Sequence, residues 1–116
     1  MPETTDCIFC AIVAGTMGTK VHEDEFVAAF EDLDPQAPNH TLIVPKQHLA
    51  SADDLSPETE AVAGRLLTTA ARLARERGLH GSGYRLVINS GRAAGQSVFH
   101  LHVHLLGGRS FAWPPG

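Results

Sequence analysis

Three histidines at alternate positions, His100, His102 and His104, are the residues of this chain best suited to chemistry. In an extended segment alternate side chains share a face, so the three imidazoles project one way while Leu101, Val103 and Leu105 project the other. Neighbours on such a face stand roughly 6.5 to 7 Å apart along the chain, close enough to surround one phosphate. Imidazole titrates near neutrality, so one ring can attack phosphorus while a neighbour donates a proton. Attack would form a phosphohistidine and split one difficult displacement into two easier ones. Two other readings stand beside this one: the polar face of an antiparallel strand, and a metal held by all three rings. The preceding loop, Ala94-Gly95-Gln96-Ser97, has small residues that let backbone N–H groups approach an anion, which favours phosphate over metal.

A second constellation is Cys7-Ile8-Phe9-Cys10. In a reducing compartment that spacing favours metal or redox chemistry over a structural disulfide. Two thiolates on one helical face still need two more ligands to make a tetrahedral zinc site. The alternative is two small apolar residues turned into the core.

The elements that must position these groups can be read from periodicity and punctuation. Asp6 is placed to cap a short helix over 7–14 that Gly15 would end. Residues 20–22 and 26–30 form a candidate hairpin, followed by a loop over 32–39 rich in Asp, Asn and Pro. Thr41-Leu42-Ile43-Val44 reads as a strand stopped by Pro45. Ser56-Pro57-Glu58 is the clearest helix start, and Val62, Leu66, Leu67, Ala70, Leu73 and Ala74 form its apolar stripe up to Gly78. Gly64, inside that helix, hints at close packing. Strands follow over 84–89 and 98–106, the last closed by Gly107-Gly108. About five short strands in a mainly antiparallel sheet with two helices predict a single α+β domain over residues 1–116.

Composition narrows the function classes. The chain has 116 residues, 43% hydrophobic and 19% charged, the balance of one folded domain rather than of a disordered chain. Nine Lys and Arg against thirteen Asp and Glu give a net charge of -4, and the basic residues are scattered, so the footprint of a long nucleic acid is missing. Few aromatics argue against a stacking platform for single strands. The polar, acidic start lacks the pattern of a signal peptide, and no apolar run approaches the ~18 residues of a membrane span. The expectation is a cytoplasmic protein without a membrane partner.

The run Gly95-Gln96-Ser97-Val98-Phe99-His100-Leu101-His102-Val103-His104-Leu105-Leu106-Gly107-Gly108-Arg109 resembles the signature of the histidine triad (HIT) family. Asp34-Pro35-Gln36-Ala37-Pro38-Asn39-His40 and the ending Trp113-Pro114-Pro115-Gly116 resemble its nucleotide-binding (Hint) branch. The chain departs from the usual pattern at Gly15-Thr16-Met17-Gly18-Thr19-Lys20, where the family commonly has an isoleucine–proline pair.

The resemblance implies a HIT-like fold and a purine nucleoside phosphoramidase that cleaves a P–N bond through a nucleotidyl-histidine. It makes His102 the nucleophile, with His104, Gly95, Gln96, Ser97 and Asn89 around the phosphate and His40 supporting the triad. Ser97 would also help protonate the leaving amine. Asp32 would bind the ribose hydroxyls, although a loop-capping Asp is the ordinary reading of that position. Phe9, Phe30, Leu33 and Ile12 would line the base pocket. The resemblance further implies a structural zinc on Cys7, Cys10, His48 and His100, and a homodimer pairing through the long helix and an edge strand, with the tail over 109–116 reaching the other subunit's site. Diadenosine polyphosphate hydrolysis and a nucleotide-binding interaction protein with vestigial activity are the alternative functions.

Overall fold

A computed structural model of the chain describes residues 7–116. Its elements are helix α1 (Ile8–Ala14), strands β1 (His22–Glu23), β2 (Val27–Glu31) and β3 (Asn39–Pro45), helix α2 (Glu60–Glu76), and strands β4 (Tyr84–Val87) and β5 (Val103–Gly107). The five strands form one antiparallel sheet in the order β1-β2-β3-β5-β4. The expected α+β architecture of five strands and two helices is present. Among the described residues no helix is long and apolar enough to cross a membrane.

Strand alternation sorts the sheet into two faces. Val27, Ala29, Ile43, Val103 and Leu105 pack with Leu66, Ala70, Leu73 and Ala74 of α2 in the larger core. Ala28, Phe30, Leu42 and Val44 turn the other way and pack with Phe9 of α1. The chain is thus a sheet between a long helix and a short one. Arg77 clamps the end of α2 to the sheet by donating to the Thr41 hydroxyl (2.6 Å) and to Glu31 (2.9 Å).

Several boundaries differ from the sequence reading. The sulfur of Cys7 caps α1 by accepting the Cys10 N–H at 3.3 Å; the expected cap, Asp6, lies outside the described residues. Gly15 does end the helix, at φ 85°, a conformation that favours glycine. Pro57–Thr59 form a 3-10 turn, with the Thr59 hydroxyl accepting the Ser56 N–H, so α2 starts at Glu60. Leu67 is 46% exposed rather than part of the buried stripe, because it lies one residue, about 100° of rotation, from Leu66. A side chain at Gly64 would meet nothing within 4 Å, so that glycine does not mark close packing. The candidate hairpin is present only over β1 and β2, β4 stops at Val87 rather than at residue 89, and β3 runs on through Pro45.

The most consequential correction concerns β5, which begins at Val103 and not at residue 98. Ile43 pairs with Val103, but Pro45, two residues on, has no N–H with which to continue the ladder. The Leu101 N–H turns instead to the carbonyl of Leu49 (2.6 Å). His100 and His102 therefore precede the strand, yet the alternation persists: Leu101 joins Val103 and Leu105 in the α2-side core.

Candidate active site

On the α1 face, His40 and His104 are diagonal neighbours, since His40 pairs with Leu106 and His104 with Leu42. Their rings meet with His40 Nε2 2.9 Å from His104 Nδ1. The His102 and His104 ring centroids are 4.9 Å apart, and Phe9 of α1 stands edge-on to His102 at 5.1 Å. His40 and His102 are buried.

Hydrogen bonds decide where the protons sit, because a backbone carbonyl only accepts and a backbone N–H only donates. The carbonyl of His100 lies 2.7 Å from His102 Nδ1, so Nδ1 carries the proton and Nε2 keeps its lone pair. The Gln36 N–H donates to His40 Nδ1 at 3.0 Å, which places the His40 proton on Nε2. His40 Nε2–H then donates to His104 Nδ1, leaving His104 protonated on Nε2. Burial is the main force holding the His102 and His104 rings neutral. It lowers His102 below the ordinary imidazole range, and it brings His104 to about 4, helped by His102 and His40 nearby.

These two rings open on a cleft of about 760 Å³. Phe9, Ile12, Phe30 and Leu33 line it, together with Asp32, Ser97, His102 and His104. Asp32 has the loop-capping role, its Oδ1 accepting the Asp34 N–H at 2.8 Å, and its Oδ2 stands 3.4 Å from His40 Nε2. The Gln96 side chain is buried, accepting from Gly91 N–H and donating to the Ala50 and Val98 carbonyls. Its amide is therefore a loop brace, and the N–H groups expected to face a phosphate are taken up within the loop, Gly95 donating to the Arg92 carbonyl at 3.0 Å and Gln96 to the Gly91 carbonyl at 3.1 Å. Asn89 and Gly95 do not line the cleft, and His40 stands behind His104.

Beside the triad, Cys7, Cys10, His48 and His100 bring their ligand atoms within 4.8 Å of one another. Cys7 Sγ is 3.3 Å and Cys10 Sγ 3.4 Å from His100 Nδ1, while Cys10 Sγ is 3.2 Å from His48 Nδ1. Tetrahedral zinc with ordinary bond lengths separates sulfur from nitrogen by about 3.6 Å, so the donors fit that ion after slight expansion. His100 Nε2–H donates to the Pro45 carbonyl at 2.8 Å, which leaves Nδ1 as a bare donor atom facing the sulfurs. Burial, and then the neighbouring Cys7, push the Cys10 thiol up to about 11. A dication is the partner that reverses such a shift.

A HIT domain model matches residues 16–111. The chain belongs to the HIT family. It is 53% identical over 96 residues to an uncharacterized HIT-like protein of Synechococcus elongatus, covering 83% of each chain. It is 47% identical over 89 residues to a purine nucleoside phosphoramidase of Escherichia coli, covering 77% of this chain and 75% of that one. The HIT fold is shared with a HIT family hydrolase from Legionella pneumophila, at TM-score 0.92 and 46% identity over 95% of this chain and 99% of that one. A zinc-bound histidine triad family protein from Mycobacterium smegmatis matches at TM-score 0.77 and 38% identity, covering 97% of this chain and 81% of that one. The Cys/His cluster is compatible with zinc.

Sequence reasoning missed one wall of the cleft. Met17, Gly18, Thr19 and Val21 line it together with Phe30 and Leu42. Met17, Gly18 and Thr19 belong to the connection where this chain departs from the usual HIT pattern, Val21 follows it, and nothing in these residues signals a binding surface. Leu42 and Val98 were likewise legible only as core or strand residues.

Proposed function

We propose that this HIT protein hydrolyses purine nucleoside 5'-phosphoramidates. The observation that carries this reading is the bare Nε2 of His102, with its Nδ1–H held by the His100 carbonyl (2.7 Å), beside the Nε2–H of His104. A lone pair for attack and a donor for the phosphate oxygen thus stand side by side without rearrangement. His102 Nε2 attacks the α-phosphorus, and the new N–P bond forms as the P–N bond to the amine breaks. The amine nitrogen leaves with the electron pair and takes a proton from solvent, relayed by the Ser97 hydroxyl, which takes a solvent proton in exchange. Water then attacks the phosphohistidine, releasing the nucleoside monophosphate and restoring His102.

The apolar wall of Phe9, Ile12, Phe30 and Leu33 receives the base, and Asp32 Oδ2 accepts from the ribose hydroxyls. On the phosphate side the cleft offers the His104 Nε2–H and the Ser97 hydroxyl, while the Gly95 and Gln96 N–H groups are held by the Arg92 and Gly91 carbonyls at 3.0 and 3.1 Å. Zinc on Cys7, Cys10, His48 and His100 would tie α1 to the catalytic segment. Four protein ligands leave no open position, so its contribution would be structural. The relative from E. coli, a purine nucleoside phosphoramidase, supports the choice of substrate. We also propose a homodimer through α2 and β4, supported by the position of β4 at the sheet edge and by exposed Leu67 on α2.

The test is incubation with adenosine 5'-phosphoramidate and measurement of AMP release. Release supports the reading. No release while AMP still binds leaves a nucleotide-binding protein, and release from diadenosine polyphosphate alone selects a different hydrolase.

A further inference from the structure

The chain of hydrogen bonds that sets the His104 proton does not end at His40. Gln36, whose N–H donates to His40 Nδ1 (3.0 Å), presents its carbonyl to Arg109, whose Nε–H donates to it at 2.9 Å. Arg109 is itself held in place. Its NH1 donates to the Ser110 carbonyl at 2.9 Å, and its guanidinium lies 4.2 Å from the Phe111 ring centroid. Arg85 approaches the same ring at 5.1 Å and donates to the Ala112 carbonyl. The loop before β3 is also seated directly on this segment. A Cβ on Gly108, at φ 93°, would come within 2.9 Å of Pro38 Cβ.

We infer that Arg109 is a positioning residue which, by holding Gln36, keeps the proton of His40 on Nε2 and so presents His104 as a neutral Nε2–H donor. The physical reason is that an imidazole alone has two neutral tautomers of similar energy, and the hydrogen bond at one nitrogen selects between them. If the Gln36 N–H drifts from His40 Nδ1, that ring is free to carry its proton on Nδ1. His104 then loses its donor and can turn a lone pair toward the phosphate. Arg109 thereby links the tail after β5 to the site without touching a substrate. The inference rests on the proposed role of His104 toward phosphate, but its tautomeric part stands independently of any substrate.

The experiment is histidine ¹⁵N NMR on the full chain, with kinetics on adenosine 5'-phosphoramidate. In the unaltered protein His40 and His104 should both show a protonated Nε2 and a bare Nδ1. Arg109→Ala should mix the His40 tautomers and lower kcat about tenfold with KM within about twofold. That is less than the ~10²-fold loss expected when a phosphate-facing donor is deleted outright. Gln36→Ala, which keeps both backbone groups, should retain the tautomers. If Arg109→Ala fails to fold, Arg109→Met, which keeps an aliphatic stem but has no N–H to donate, gives the same reading. Unchanged tautomers overturn the inference, as do mixed tautomers with unchanged kcat. An unaltered protein with the expected tautomers but no phosphoramidase activity would instead overturn the proposed function alone.

Discussion

His102 and His104 stand with ring centroids 4.9 Å apart and hold their protons on opposite nitrogens. The opposition originates outside the pair: a carbonyl two residues back claims the Nδ1–H of His102, and His40 supplies a proton to the Nδ1 of His104. Two identical side chains thereby differ in their chemistry, His102 keeping a bare Nε2 and His104 an Nε2–H.

Replacing His102 with glycine should remove the covalent step and leave the pocket. AMP release from adenosine 5'-phosphoramidate is expected to fall at least about 10³-fold, while the Kd for AMP by calorimetry stays within about threefold. Residual turnover near the unaltered level would remove His102 from the nucleophile's role.

Asp32→Asn should change sugar discrimination. The Oδ1 bond to the Asp34 N–H can survive in the amide, but the anionic acceptor at Oδ2 is lost. Affinity for AMP should drop about tenfold, by the order of one charge-assisted hydrogen bond, and affinity for 2',3'-dideoxy-AMP, which offers Asp32 neither hydroxyl, should hardly move. An equal loss for both nucleotides would assign Asp32 to the loop alone.

Purified protein should carry about one zinc per chain by elemental analysis, and Cys7→Ser should reduce that toward zero. Removal by chelator should lower the melting temperature by more than about 5 °C, since a structural site adds its binding energy to folding. Zinc-free protein of unchanged stability would return both cysteines to an apolar packing role.

Acid should destabilise the fold in two windows. His104 lies at about 4 when folded, mainly because of burial, so the unfolded chain takes up the proton first. This contribution is complete above the ordinary histidine value near 6.5 and declines as the pH falls toward 4. Asp24 shifts the other way. Burial acts against its charge, but bonds from His22, the Val27 and Phe26 N–H groups and Arg65 outweigh it and hold the carboxyl far below its usual range. Its stabilisation is present above the ordinary Asp value and lost below it. Urea midpoints should therefore fall from pH 7 to 4, less steeply for His104→Asn, and Asp24→Asn should flatten the decline below pH 4. A midpoint that rises on acidification would contradict both assignments.

The face of each triad residue was legible in the sequence because alternation reports which side a residue takes, and Leu101, Val103 and Leu105 carry that signal. Where the strand starts was not legible. It depends on the missing N–H of Pro45 and on the Leu49 carbonyl, a contact 52 residues from Leu101 in sequence. The pairing of Cys7 and Cys10 with His48 and His100 was reachable only through family resemblance, since the ligands are as far as 93 residues apart. Tautomers were beyond reach, because they follow from which backbone group faces each ring nitrogen. The wall over Met17 and Val21 left no pattern, being a loop folded back onto the cleft.

Rapid quenching of the protein during turnover of adenosine 5'-phosphoramidate, followed by mass spectrometry of its peptides, tests the central assignment most directly. The account predicts a single adenylyl adduct on His102 that forms and decays at rates competent for AMP release. AMP release with no adduct under conditions that preserve phosphohistidine, or an adduct on His40, His100 or His104, would contradict it.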